Sequence, residues 1–259
     1  MNGPMTERYT LKQNLYVRAS MFTTEELRRQ KRLGLSDINE DILNGLVQQR
    51  MHFEGQQQNM VRALAVALFL TFVSWNGGDI VIPGTGTSVG GVPAFLELSL
   101  LTSAFSVLMI TYSFLSIQMY NSVIAAIAQS VLAKNELDAD LFAASKVPTW
   151  LFVKYAQKAP VNGRVPGFNI STLGNFYNRL LIGSLAFVLL SAWIFAIICI
   201  LYIAHDGLSD TVAGWSVYLL CIGLIAVACI SMAANVLEFE HEMDFDNLES
   251  TAGNETDAT

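Results

Sequence analysis

Residues 98–133 have the sequence LSLLTSAFSVLMITYSFLSIQMYNSVIAAIAQSVLA, and this stretch decides the class of fold. It contains no charged residue, no glycine and no proline, so nothing local ends a helix within it. A helix of these 36 residues is about 54 Å long, whereas the hydrocarbon core of a bilayer is roughly 30 Å thick. Because tilt alone rarely absorbs that excess, the stretch predicts a transmembrane helix that ends near Gln118. The remainder, from Tyr120 onward, is expected to continue into the cytoplasm as a stalk.

Three further apolar segments are candidates to cross a bilayer: residues 60–75, 180–204 and 212–237. The loop after the first of them, residues 76–93, is rich in glycine and proline, and a short turn containing Gly207 separates the last two. The sequence therefore predicts an all-α, polytopic membrane protein with four transmembrane helices arranged as two hairpins.

The basic residues predict the orientation of these spans. All fifteen Lys and Arg residues lie outside residues 63–133 and 180–259. Lys and Arg concentrate in segments that stay cytoplasmic, so both hairpin loops are expected outside and both termini in the cytoplasm. This charge bias suits the inner membrane of a bacterium.

The chain divides into five regions by composition. A cytoplasmic helical region precedes a hairpin with a long second helix, a cytoplasmic or interfacial segment follows, and a second hairpin leads into an acidic tail expected to be disordered. The regions are residues 1–59, 60–133, 134–178, 179–237 and 238–259.

Two basic clusters lie in the predicted cytoplasmic parts. The first is either a contact for anionic lipid headgroups or only a determinant of topology, and it comprises Arg28, Arg29, Lys31 and Arg32. The second mixes aromatic and basic side chains, which suits either an interfacial helix or a helix packed on the stalk. Its members are Trp150, Phe152, Lys154, Tyr155 and Lys158.

The tail carries eight acidic residues and no basic one from Glu238 onward. Such composition predicts disorder. Because apolar residues alternate with the acids between Phe239 and Leu248, the alternative is a short motif that folds on a cytoplasmic protein partner.

Small polar residues recur on one face of the second span in steps of three or four residues. They are Ser99, Thr102, Ser106, Ser113, Ser116 and Tyr120. Small hydroxyl residues allow helices to approach closely, so this face is interpreted as a packing surface within the bundle. The alternative is a hydrated pore lining, which needs several copies of the chain because four helices enclose little space.

The predicted outer side carries acids and no basic residue: Glu97, Asp79, Asp206 and Asp210. In an oligomer, a ring of Glu97 would concentrate cations at a pore mouth. The alternative is that Glu97 is a solvated carboxylate that the dipole of its helix favours.

The residues offer no set for catalysis. No nucleophile with a base, Walker motif or zincin motif occurs, and His52, His205 and His241 fall in three separate regions. We therefore expect no enzyme, no metal site, no cofactor and no binding of nucleic acid.

Two functions follow as hypotheses. The first is a homo-oligomer in the bilayer that forms an ion-permeable or membrane-perturbing assembly coupled to its cytoplasmic region. The alternative is a membrane anchor or scaffold that recruits cytoplasmic partners and conducts no ions.

Overall fold

The computed structural model describes residues 9–13, 19, 23–24, 40–78, 88, 94–132, 145–147, 172–208, 211–236 and 239–243. Four helices make up most of this part of the chain, and two short strands lie near its ends. In chain order the elements are β1 (Tyr9–Gln13), α1 (Glu40–Trp75), α2 (Phe95–Leu132), α3 (Thr172–Leu208), α4 (Val212–Val236) and β2 (Phe239–Met243).

All four helices are long and apolar enough to span a membrane, which confirms the predicted number of long apolar helices. The bounds differ from the sequence prediction at two N-terminal ends. Helix α1 begins at Glu40, so no break separates the predicted region 1–59 from the first span, and Gly45 and Gly55 lie inside the helix. Helix α3 begins at Thr172, ahead of the predicted boundary at residue 179. In α1, packing of Leu43 and Val47 against α2 overrides the weak local tendency of the polar approach to leave the helix.

Local hydrogen bonds explain where α1 ends and where α4 begins. The N–H of Gly77 donates to the carbonyl of Ser74, and the N–H of Gly78 donates to that of Val73, which is the Schellman pattern. Gly77 adopts a φ of 70°, which glycine tolerates best, so α1 ends at Trp75. At the start of α4, the Thr211 hydroxyl accepts the N–H of Gly214 and acts as an N-cap.

Most of the core lies where α2 meets α3 and α4. It is built from fully or nearly fully buried side chains, with Leu64 and Leu68 of α1 packed against it. Within this core, alanine, which lets helix backbones approach closely, occupies one fully buried position on each of α2, α3 and α4. These positions are Ala104, Ala204 and Ala228.

A second, smaller core joins only the first two helices. Leu43 and Val47 of α1 pack with Ile124 and Ile127 of α2, and Val147 is fully buried against them. Each of α1 and α2 is about 55 Å long, so the two helices stay paired over a length that a bilayer of roughly 30 Å does not require.

In the first half of α3, every residue whose burial is described is exposed. Four consecutive side chains, from Phe187 to Leu190, are all exposed although one turn of a helix points them in different directions. The second half packs into the core through Ile200, Ile203 and Ala204. Helix α3 therefore diverges from the bundle toward its N-terminus.

The strands β1 and β2 form an antiparallel two-stranded ribbon that the sequence analysis did not predict. Tyr9 is opposite Met243, and Lys12 is opposite Glu240. Five residues of the tail thus form a strand where composition predicts disorder. Composition describes the tail alone, whereas this strand depends on a partner segment from the other end of the chain.

Candidate functional site

A buried arginine connects α1 to α2 beside the smaller core. The side chain of Arg50 is almost completely enclosed, with the residue 2% exposed, and Asn121 opposite it is 1% exposed. The Arg50 Nε donates a hydrogen bond of 2.8 Å to the Asn121 Oδ1. A charged donor that is removed from water in this way depends on its acceptors, because desolvating an unpaired charge is costly.

Glu54 supplies the countercharge for this arginine. Its Oε2 accepts a hydrogen bond of 2.7 Å from the Arg50 Nη1, one turn along α1. The Asn121 Nδ2 is also buried and finds no hydrogen-bond partner in the described part of the chain. A buried polar pair of this kind selects one register between two helices, because sliding either helix would separate the Arg50 Nε from the Asn121 Oδ1.

Aromatic rings surround the network on one side. The ring of Phe53 lies 5.6 Å from that of Tyr120 and 6.4 Å from that of Tyr112, measured between centroids. His52 stacks edge-on against the same phenylalanine. We call the paired parts of α1 and α2 that carry the smaller core, Arg50 and Asn121 the stalk.

Arg50 is a functional candidate that was not predicted from the sequence. The signal was its spacing, because Leu43, Val47 and Arg50 recur at steps of four and three and so share one helix face. A single arginine on an otherwise apolar face indicates a buried partner, but the partner lies 71 residues away and only the fold brings it close.

The predicted polar face of α2 divides into inward and outward residues. Ser99, Ser106 and Ser113 are buried within the bundle, Ser116 and Tyr120 are half-buried, and Thr102 is exposed. Ser103, which the sequence analysis omitted, is fully buried. This burial favours the packing interpretation over a pore lining for the three inward serines.

Three hydroxyls near the start of α2 bond within their own helix. Ser99, Thr102 and Ser103 each donate to the carbonyl four residues earlier, at 2.6–2.8 Å. The Ser113 hydroxyl is buried and finds no partner among the described residues. The serines therefore act chiefly by being small.

The opposite end of the bundle carries a cluster of aromatic residues. The Trp75 Nε1 donates a hydrogen bond of 2.8 Å to the Asp206 Oδ2, which ties α1 to α3. The ring of Trp75 contacts Tyr202, and Tyr218 of α4 contacts both Trp215 and His205. Tryptophan and tyrosine concentrate where the hydrocarbon of a membrane meets its headgroups, and the composition of this cluster is typical of such an interface.

The predicted acidic mouth is only partly described. Asp206 is exposed and accepts the bond from Trp75, and Glu97 is half-buried in the first turn of α2. Asp79 and Asp210 lie outside the described residues. The same holds for two other predicted clusters: Arg28, Arg29, Lys31 and Arg32, and Trp150, Phe152, Lys154, Tyr155 and Lys158.

A polar patch points away from the bundle on α1. Gln58, Asn59 and Arg62 are exposed, and the spacing of three and four residues places all of them on one side of the helix. We call these three residues the polar face of α1. Toward the Trp75 end, the exposed residues of the same helix are Val66, Phe69 and Phe72, which are apolar.

An apolar groove of about 300 Å³ separates α2 from α4. Its lining includes Leu108, Met109 and Leu115 of α2 with Val227 and Ser231 of α4, and its surface is almost entirely nonpolar. It has no charged group that could orient a polar substrate. In the part of the chain that the structure describes, no three His, Cys, Asp or Glu side chains lie close enough together to hold a metal ion.

A comparison of the chain with protein-family models, curated proteins and solved structures finds no match.

Proposed function

We propose that this protein is a non-enzymatic membrane anchor whose first two helices project a stalk into the cytoplasm, where the stalk holds a protein partner. The observation that carries the proposal is the hydrogen bond between Arg50 and Asn121, inside a hydrophobic cluster that joins α1 to α2. A pair of helices that only crossed a bilayer would not need a specific polar contact beyond the membrane's thickness.

The proposed architecture is two hairpins, α1–α2 and α3–α4. Phe53 contacts Tyr120 at one end of the first pair, and Trp75 and Leu96 both approach Gly207 at the other, which supports antiparallel helices. The carbonyl of Leu208 lies against Gly214 and leaves no room for a Cβ, as a tight turn between α3 and α4 requires.

Both termini are proposed to lie on the cytoplasmic side. Lys and Arg are absent from the two loops expected outside, and β1 pairs with β2, which needs both chain ends in one compartment. An even number of spans has the same consequence.

Cysteine labelling tests this orientation. In a variant without the native cysteines, Thr87→Cys is expected to react with a membrane-impermeant maleimide added outside intact cells, whereas Ser145→Cys reacts only after permeabilisation. The control is the same label on a known periplasmic or extracellular site. Labelling of position 145 from outside would overturn the orientation, because Val147, two residues further along the chain, belongs to the smaller core of the stalk.

The anchoring function is tested by disrupting the stalk without touching the spans. Ile124→Asp places a carboxylate in the smaller core, where Ile124 is 1% exposed. The variant is expected to lose the capture of cytoplasmic proteins, which is measured by crosslinking in cells. Gln49→Asp adds the same charge at an exposed position of α1 and is expected to retain capture. Both variants should elute like the wild type on size exclusion. Equal capture by both variants, or by neither, would contradict a role for the stalk.

An ion-permeable or membrane-perturbing homo-oligomer is the second candidate. The polar face of α1 favours it, because exposed polar side chains on a spanning helix could line a hydrated space between copies of the chain. Purified wild type in liposomes would then conduct cations, and Glu97→Gln would lower that conductance if Glu97 forms the mouth. Silent liposomes together with stalk-dependent capture favour the anchor.

A further inference from the structure

We propose that the polar face of α1 binds the phosphate of an anionic phospholipid and draws the inner leaflet toward the membrane centre. The inference rests on the proposed membrane setting and orientation, but not on the stalk's having a protein partner. It follows from the depth of Gln58, Asn59 and Arg62 in the membrane and from the hydrogen-bond donors that they carry. It also follows from the apolar surface that α2 exposes at a similar depth.

The depth is measured from the aromatic cluster around Trp75. Along α1, Arg62 lies about 20 Å and Gln58 about 26 Å from Trp75 at 1.5 Å per residue. Both distances fall within a hydrocarbon core of roughly 30 Å, and any tilt of the helix reduces them further. In an undisturbed bilayer, three exposed polar side chains would therefore face acyl chains.

That placement is unfavourable without a polar partner. A lipid-exposed arginine at membrane depth costs at least about 2.5 kcal/mol, and the cost falls when the side chain reaches headgroups or the bilayer thins. Arg62 has no hydrogen bond or ion pair with the described residues. The countercharge must come from outside this part of the chain.

The arrangement of the three side chains suits a phosphate. Side chains on a helix lean toward its N-terminus, so Arg62 extends over the turn that carries Gln58 and Asn59. A guanidinium donates paired hydrogen bonds to phosphate oxygens, and the two amides can add donors beside it. Gly55, one turn further, has open space around its Cβ position and leaves room for a headgroup.

A comparison with helix α2 predicts that the thinning of the bilayer is confined to the α1 side of the bundle. From the bond between Arg50 and Asn121, Gln58 lies about 12 Å along α1 and Tyr112 about 13.5 Å along α2, so the two residues are at similar depth. Both are exposed, yet the neighbours of Tyr112 on the outside of α2 are apolar, such as Phe105 and Met119. The hydrocarbon boundary is therefore predicted to lie deeper at α1 than at α2.

Spin labels test the depth directly. Nitroxides at Gln58→Cys and Tyr112→Cys, in the full chain without its native cysteines, are compared in bilayers that contain phosphatidylglycerol. The label at 58 is expected to be more accessible to a water-soluble nickel complex, and the label at 112 more accessible to oxygen. Equal oxygen accessibility at both positions would overturn the thinning.

Bound lipid tests the site itself. Native mass spectrometry of the wild type in micelles with phosphatidylglycerol is expected to show retained lipid, with at least a threefold loss in Arg62→Gln and partial retention in Arg62→Lys. Lys146→Gln removes one exposed positive charge elsewhere and should match the wild type. If Arg62→Gln retains as much lipid as the wild type, the lipid does not bind through Arg62 and the proposal fails. If the variant instead converts a dimer to a monomer, the face binds a second copy and the proposal fails as well.

Discussion

Replacing Asn121 with leucine is expected to lower the free energy of unfolding by about 3 kcal/mol. The change removes the acceptor of the Arg50 Nε and leaves a charged donor buried without it, while the leucine fills a similar volume. Glu54 remains paired with Arg50, which limits the loss in the free energy of unfolding. The measurement is chemical unfolding in micelles, followed by a reporter attached to the stalk, because the membrane core is expected to unfold separately.

The double variant Arg50→Met with Asn121→Leu separates this explanation from simple loss of packing. It replaces both polar groups with apolar ones of comparable size, and such replacements of buried polar pairs are often neutral or stabilising. We expect it to recover most of the wild-type stability. Gln49→Leu, at an exposed position on the same helix, is the control and should change stability little. A double variant as unstable as Asn121→Leu would show that the polar pair itself holds the stalk together.

Replacing Ser106 with leucine is expected to disrupt the bundle, whereas Thr102→Leu should be tolerated. Ser106 is 1% exposed between packed helices, so the larger side chain must displace its neighbours at a cost of about 1–3 kcal/mol. Thr102 points outward, and leucine there joins an apolar exterior. The measurement is the thermal midpoint and the monodisperse yield of each variant in micelles.

The same pair of variants distinguishes packing from a pore. If the predicted polar face lined a pore between copies of the chain, Ser106→Leu would assemble normally and lose ion flux. An Ser106→Leu protein with wild-type stability would thus contradict the packing interpretation. A destabilised Ser106→Leu beside a stable Thr102→Leu would confirm that the inward serines serve as small residues that let helices approach.

The helical spans were predictable because a bilayer constrains sequence locally. The stretch from Leu98 onward must be apolar and unbroken to satisfy its backbone in hydrocarbon, so its composition suffices to identify the span. The packing face of α2 could be predicted only in part. The spacing of the hydroxyls placed them on one helix surface, but Thr102 and Ser106 differ in burial because of where α1, α3 and α4 lie.

Contacts between distant segments could not be predicted in the same way. Arg50 with Asn121, Trp75 with Asp206, and β1 with β2 each join residues far apart in the chain, and each partner alone has an ordinary local environment. A lone arginine on an apolar face signals that a partner is needed without identifying it. The same limit applies to the polar face of α1. Its proposed role depends on its depth in the membrane, which is measured from Trp75 and the aromatic residues around it.

The number of apolar helices that can span a membrane follows from the sequence, because hydrophobic length and the absence of breakers are properties of each segment alone. Which polar residues are enclosed and which face outward depends on the tertiary structure. Burial depends on the helices that surround a residue, and those neighbours are set by the summed packing of the whole chain.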